Sequence, residues 1–530
     1  MKRIENKSRS VYLRNILIYI LSLAFSFGIL YICTASSPRY AINPWNDSNA
    51  FLTMGRAMAD GKIIYKDIFE QKGPLLYLLH AIAALISDSS FLGVYVMQSL
   101  SLSVFAFAAY KLASLYTGSA KSIACTVLTC FITVNSTCYY YGDSAEEFCL
   151  PLLMISLYYF CKYFKNPEQY KIGKFTFFLI GFFAGCVAMI KFTVIGFWFA
   201  WAAYVLLYIW VAKKSFKNAF FNALVFLGGM AAAVVPWVVY FALNNALSDF
   251  INTYFVLNAT AYPKVEGLNF ITRLFAPVHS LGENLVISPA VLVLGLLGIF
   301  LFAVTNIFTE KKFFSRISIP FVCILGLYII YFGIRYYNYY LIPLSAFLIF
   351  FFVAAAKLFE KLLRNKSAVV SAILCVVIIP SAMVTSNCFN LSSKHAARKG
   401  ETTVQSDLAD YISDLYTPGE KILNYGCLDF GVYLSMKQVP YFKHFERQNL
   451  LYEKYPYNID EQNRYIAEKL PDYIVVSTAP GSELDDYCKE YDILNTNYDG
   501  VISSRYTIYE SPLTDKKTVR NVYLFLLKEE

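Results

Sequence analysis

Long apolar runs dominate the first three quarters of the chain. They fall near residues 13–34, 91–111, 121–138, 147–164, 174–191, 192–212, 218–243, 287–308, 317–334, 339–358 and 367–386. A helix needs about 20 mostly apolar residues to cross a bilayer, so the pattern predicts roughly eleven transmembrane helices. One further run, 75–86, is only about a dozen residues long and falls short of that length. It fits a helix lying in the membrane interface. The 244–286 segment, which holds Tyr254, Tyr262, Pro263 and Gly267, reads as a longer outside loop. From about residue 394 the pattern changes. Apolar runs of strand length (421–425, 473–476, 522–527) alternate with amphipathic stretches of helical spacing at 404–415, 460–470 and 484–491, which predicts a small α/β domain. The boundary between the two parts is set at 386/387.

Charge orients the helices. The segment from Asn387 onward carries 16 Lys and Arg against 22 Asp and Glu, and the rest of the chain is basic by about fifteen charges. If the N-terminus is cytoplasmic and 75–86 does not cross, every second loop is basic: Lys111 and Lys121; Lys162, Lys165, Lys171 and Lys174; Lys213, Lys214 and Lys217; Lys311, Lys312 and Arg316; Lys357, Lys361, Arg364 and Lys366. This agrees with the positive-inside rule, which a crossing by 75–86 would violate. An odd number of spans then places the C-terminal domain outside. The basic excess is thus a topology signal, and nucleic acid is not an expected partner. A composition of 57% hydrophobic, 18% aromatic and 16% charged residues, with a mean hydropathy of +0.47, supports the polytopic reading. The N-terminus, with no small-residue cleavage site, reads as a retained span. Most of the 12 cysteines lie in apolar runs as small hydrophobes; Cys388, Cys427 and Cys488 lie in the tail, where one bridge can form.

Candidate chemistry concentrates in the outside loops. The stretch 43–80 carries Asp47, further acids up to Glu70, and a Lys72-Gly73-Pro74 step. Asp47 alone reads as a helix-capping acid; as a general base it needs a shielded site and company. The next outside loop supplies acids on the same expected membrane face, Asp143, Glu146 and Glu147, and which of them points inward stays open. Lys72 is expected at headgroup depth, where it can hold a lipid phosphate as a point charge or simply snorkel. Lys191, inside apolar sequence, is a functional candidate because intramembrane charges are costly. Arg335 completes a set of three cations suited to an anionic lipid head. No Walker loop, GxGxxG, HExxH or CxxC motif occurs, so nucleotide-driven transport, dinucleotide binding and thiolate zinc have no support.

The first-loop acid, the Gly61-Lys62-x-x-Tyr65-x-Asp67 segment and the Lys72-Gly73-Pro74-Leu75-x-Tyr77 step resemble the GT-C membrane glycosyltransferases, in particular the bacterial relatives of protein O-mannosyltransferases and lipid A aminoarabinose transferases. The similarity continues at 181–191, at Pro236-Trp237, at 337–343, and in the tail at 418–426 and 471–476. It implies a GT-C-like transmembrane domain over 1–386, with juxtamembrane helices in the 35–90 loop, and an extracytoplasmic α/β domain over 387–530. It also implies an inverting transfer of a sugar from a polyprenyl-phosphate donor to a glycan, lipid or protein acceptor outside the cytoplasmic membrane of a bacterium. Asp47 takes the role of base and Lys72 that of the family's lysine. Tyr65, Asp67, Tyr337 and Tyr340, in the same motifs, become expected pocket residues. No metal ligand is assigned, and a divalent cation remains open as a cofactor. Two other classes share the composition: a transporter or flippase of a lipid-linked saccharide, and a non-catalytic partner in envelope-polysaccharide assembly.

Overall fold

The computed structural model describes residues 2–261, 269–309, 312–332, 337–360, 366–389, 398–478, 482, 484, 491–511 and 514–528. Each of the eleven apolar runs overlaps helix among the described residues, and fewer of these helices have the length and hydropathy of a span. Among the described residues seven helices are long and apolar enough to cross a membrane: Val11–Cys33, Leu92–Ala113, Lys174–Ala212, Phe216–Leu243, Phe313–Tyr331, Asn338–Leu358 and Ser367–Thr385. Ser119–Asn135 and Pro289–Val304 are apolar but shorter, and Ala145–Lys165 carries acids in its first turn and lysines in its last. The protein is a multi-pass membrane protein. Pro74–Ile86 is a 13-residue helix, about 20 Å long against the ~30 Å of a hydrocarbon core, as its run length requires. Pro74 occupies its first turn, where a missing N–H does no harm.

The 244–286 segment differs from expectation. Residues Phe270–Ile287 form a helix, started by the Asn269 side chain accepting the Thr272 N–H at 2.8 Å. Its Pro277, Ser280 and Asn284 are inward, with the Asn284 amide donating to the Tyr331 hydroxyl at 3.1 Å, while Phe270, Leu274, Phe275 and Val278 stay exposed. The helical period is present there, but polar residues keep mean hydropathy below that of a span.

Packing divides the chain into two units. The first comprises 1–34, 96–236 and 265–392; the second comprises 35–95, 237–264 and 393–530. Within the first unit, the helix ending at Lys191 lies against Phe216–Leu243 at close range. A Cβ on Gly181 would stand 1.9 Å from the Phe226 carbonyl oxygen, so only glycine admits this approach, as is common between membrane helices. The α-helix breaks at Lys191, and a short 3₁₀ turn, Phe192–Ile195, leads into Gly196–Leu207.

The second unit joins the first loop to the tail. Its sheet has strands β1 (Ile422–Tyr425), β2 (Tyr473–Ser477), β3 (Tyr498–Ser511) and β4 (Thr514–Leu527) in the order β1-β2-β4-β3. β1 and β2 are parallel and the other pairs antiparallel. Leu423, Tyr425, Ile474, Val476 and Phe525 form its core with Phe442, Tyr465 and Ile466. The three expected strands are present; β3, whose pattern is broken by a register shift between Gly500 and Ile502, is an addition. Of the expected tail helices, Val404–Leu415 and Tyr457–Ala467 form, and 485–490, with Cys488, lie outside the described residues. Cys388 and Cys427 are buried free thiols.

Candidate functional site

In the second unit Asp47 occupies the first turn of the helix Asn46–Ala59, which starts after Trp45 without a side-chain cap. A carboxylate is favoured there by the helix dipole. Lys72 is fixed by its backbone. Its N–H lies 3.0 Å from Glu70 Oε2 and 2.8 Å from the Tyr77 hydroxyl, which itself donates to Glu70, and its carbonyl accepts the Tyr65 hydroxyl at 2.5 Å. The Lys72 Nζ then stands 3.5 Å from Glu70 Oε1 and 4.0 Å from Asp47 Oδ2, and 5.3 Å from the centre of the Phe51 ring. Its side chain is 16% exposed, that of Asp47 19% and that of Glu70 3%. The structure thus brings Asp47 and Lys72 together and adds a buried acid beneath them. Tyr65 is fully buried with a left-handed backbone (φ 69°), so its part is to hold Lys72 in place. Asp67 is exposed and accepts the Ile63 N–H at 2.7 Å, capping its own turn.

Further polar groups back this pair. Thr53, six residues after Asp47 on the same helix, donates to Asp429 Oδ2 at 2.7 Å. Arg56 donates to the carbonyls of Tyr433 and Gln438 at 3.0 and 2.9 Å. The Asp429 N–H donates to Glu446 Oε2 at 2.6 Å. Both carboxyls are wholly buried. Burial pushes Asp429 above its ordinary range, against the pull of Thr53, Gly431 and Arg56, and it pushes Glu446 well up, with Asp429, Glu70 and Asp47 adding like charge. Residues 56, 429 and 446 escaped the sequence reading, and Glu70 entered it only as one of the acids of the 43–80 stretch. A signal was available for Asp429, which lies between Leu428 and Phe430; Glu70 and Glu446 each have an aromatic neighbour on one side only and a polar one (Gln71, Arg447) on the other.

The other candidates lie in the first unit. Glu147 is buried and accepts from the Tyr139 hydroxyl at 2.5 Å, the Gln98 amide at 3.0 Å and the Asp143 N–H at 2.8 Å. These bonds hold a loop in which Tyr140, Gly142 and Asp143 all have positive φ (57°, 81° and 72°). A side chain on Gly142 would meet Thr34 Oγ1 at 2.4 Å. Glu147 therefore braces the loop that presents Asp143. Glu146 pairs with Lys191, both buried, and the Lys191 ammonium sits 4.2 Å from the Tyr340 ring centre and 4.9 Å from that of Tyr339. Tyr337 stacks on Tyr339 at 5.3 Å. Arg335 lies outside the described residues. Among the described residues no group of three or more His, Cys, Asp or Glu side chains is arranged to hold a metal ion.

Comparison with solved structures finds ArnT from Cupriavidus metallidurans bound to undecaprenyl phosphate, at 12% identity and a TM-score of 0.53, covering 96% of this chain and 97% of that one. The apo state of the same enzyme gives 11%, 0.51, 97% and 98%. The oligosaccharyltransferase of Archaeoglobus fulgidus gives 13% and 0.48, with 87% and 68% covered. Curated proteins give no sequence match. At such identities the likeness to ArnT speaks for the fold alone, which is ArnT-like. The family model described as "Putative competence-induced protein Ccs4 N-terminal domain" matches residues 5–373, well over half of the sequence, and the chain belongs to that family.

Proposed function

We propose that the protein is a glycosyltransferase that takes a sugar from a polyprenyl-phosphate donor. The observation that carries this reading is the Asp47–Lys72 pair, 4.0 Å apart and partly exposed, on a GT-C fold. The ArnT structure bound to undecaprenyl phosphate supports the donor class. An acceptor hydroxyl oxygen attacks the anomeric carbon from the face opposite the phosphate. The bond from that carbon to the phosphate oxygen breaks, and its electron pair leaves with the polyprenyl phosphate. The hydroxyl proton passes to Asp47, and the configuration inverts. Lys72 stabilises the charge that develops on the leaving phosphate, the term that usually contributes most in such sites.

Lys72 suits the phosphate better than Lys191 does. Its contacts to Glu70 and Asp47 are long, so a phosphate oxygen at ~2.8 Å would form a stronger charge-assisted bond than those it displaces. Lys191 is held against Glu146 with both side chains almost fully enclosed. In the reading advanced here the N-terminus is cytoplasmic, the tail extracytoplasmic, and the acceptor is a cell-wall polymer, lipid or protein. The test is transfer of a labelled sugar from its polyprenyl phosphate to a hydroxyl acceptor by purified protein. Asp47→Asn should lower turnover by about 10²–10⁴-fold, and parental turnover in that variant overturns the assignment of the base.

A further inference from the structure

A line of hydrogen bonds through the tail joins the Asp47 helix, at Thr53, to Gln71, the neighbour of Lys72. Thr53, on the Asp47 helix, donates to Asp429 at 2.7 Å; the Asp429 N–H donates to Glu446 at 2.6 Å; the Gln448 amide donates to the other Glu446 oxygen. The Gln71 amide then donates to Gln448 Oε1 at 3.1 Å, and Gln71 is the neighbour of Lys72. One end of the line is thus fixed to the helix of the base and the other to the peptide of the cation. Every side chain along it is buried: Thr53 is 1% exposed, Gln71 1%, Gln448 5%, Asp429 and Glu446 0%. The two ends are close in sequence, but the middle comes from residues more than 350 positions later. Glu70, Tyr65 and Tyr77 fix Lys72 locally, and the tail adds a second link between the Lys72 segment and the Asp47 helix.

Two further contacts run in parallel. Arg56 donates to the carbonyls of Tyr433 and Gln438, and the Phe69 N–H donates to the Lys443 carbonyl at 3.0 Å. Asp429 is itself oriented by the Gly431 N–H at 2.8 Å, and the Asn458 side chain accepts the Gln448 N–H at 2.8 Å. Buried hydrogen bonds of this kind, shielded from water, hold the segments they join in a defined geometry. We infer that Asp429, Glu446 and Gln448 of the C-terminal segment are positioning residues that set the separation of Asp47 and Lys72. The tail is then a structural part of the transfer site, acting through the first loop. This inference rests on the glycosyl-transfer reading for its catalytic consequence, and on geometry alone for the bracing.

Thr53→Val removes one link while keeping shape, Thr53→Ser keeps the hydroxyl, and Gln448→Leu cuts the line at its other end. Small misplacements of reacting groups are expensive in rate, so Thr53→Val and Gln448→Leu should each lower kcat by roughly tenfold at unchanged KM for the donor, with Thr53→Ser close to parental. Hydrogen exchange followed by mass spectrometry supplies a readout independent of turnover. Peptides covering 46–59 and 70–77 should exchange faster in both disruptive variants, and those covering 422–425 and 473–477 should not change. Parental exchange at 46–59 and 70–77 overturns the bracing. Faster exchange with parental kcat overturns its catalytic role. If Asp47→Asn retains full turnover, the transfer reading fails on that result, and the exchange data still decide the bracing.

Discussion

The buried pair of Lys191 and Glu146 offers a sharp energetic test. Lys191 ends a helix within the apolar part of the chain, and its side chain is 10% exposed against 1% for Glu146. Replacing Lys191 by Met keeps the aliphatic stem but leaves the Glu146 carboxylate enclosed without its partner. Breaking a buried pair from one side costs about 3–5 kcal/mol. The lost contact of the ammonium with the Tyr339 and Tyr340 rings, each worth up to about 2 kcal/mol when desolvated, is part of that total. Glu146→Gln alone should cost a comparable amount, because the ammonium is then stranded. The double variant Lys191→Met with Glu146→Gln removes both charges and should lie within about 1–2 kcal/mol of the parent, since neutral replacement of a buried pair is often tolerated. The cycle therefore predicts a coupling of several kcal/mol. It is measured by equilibrium unfolding of purified protein in mixed detergent micelles, followed by fluorescence; Trp198 and Trp201 are fully buried reporters in the same unit. A Lys191→Met protein within about 0.5 kcal/mol of the parent, the range of an ordinary surface change, refutes the reasoning. So does a double variant as unstable as the single ones.

Lys72→Ala should weaken binding of a polyprenyl phosphate by about 10–100-fold, the loss of one charge-assisted contact, as read by native mass spectrometry or lipid titration; affinity equal to the parent removes the phosphate role. His444 is buried against Phe69 and Tyr455, and burial, with Lys443 adding to it and Glu461 opposing it, lowers its pKa to about 4. The folded tail therefore holds His444 neutral, and the stability this gives is complete above the unfolded value near 6.5 and is lost as pH falls towards 4. His444→Phe should abolish that component, so its stability relative to the parent should rise by about 3 kcal/mol on going from pH 7 to pH 4, measured by denaturant unfolding; a difference independent of pH contradicts the buried neutral imidazole.

Much of this architecture was legible because membrane helices announce themselves through run length, and 75–86 was separable from them because it was short. The break at Lys191 was legible as a charge in apolar sequence, though its partner was not: Glu146 lies 45 residues away, and only packing pairs them. The Phe270–Ile287 helix was missed because an amphipathic helix has too little mean hydropathy for a run-length rule. Asp47 and Lys72 were picked out as candidates from local motif and spacing, and the structure places them 4.0 Å apart. The link from Asp429, Glu446 and Gln448 to the first loop was not legible, since its contacts span 376 and 377 positions and no local pattern encodes them. Tyr65 and Asp67, expected in the pocket, bond to the backbone of their own segment, Tyr65 to the Lys72 carbonyl and Asp67 to the Ile63 N–H.

The decisive measurement is the fate of the donor in sealed proteoliposomes carrying a polyprenyl-phosphate sugar labelled in both the sugar and the lipid, with an acceptor outside. The account predicts that polyprenyl phosphate is released in equal amount to sugar joined to the acceptor, with inverted configuration, and that Asp47→Asn stops both. Intact labelled donor appearing in the opposite leaflet, with no bond broken and no dependence on Asp47, would show a lipid-moving protein and contradict it.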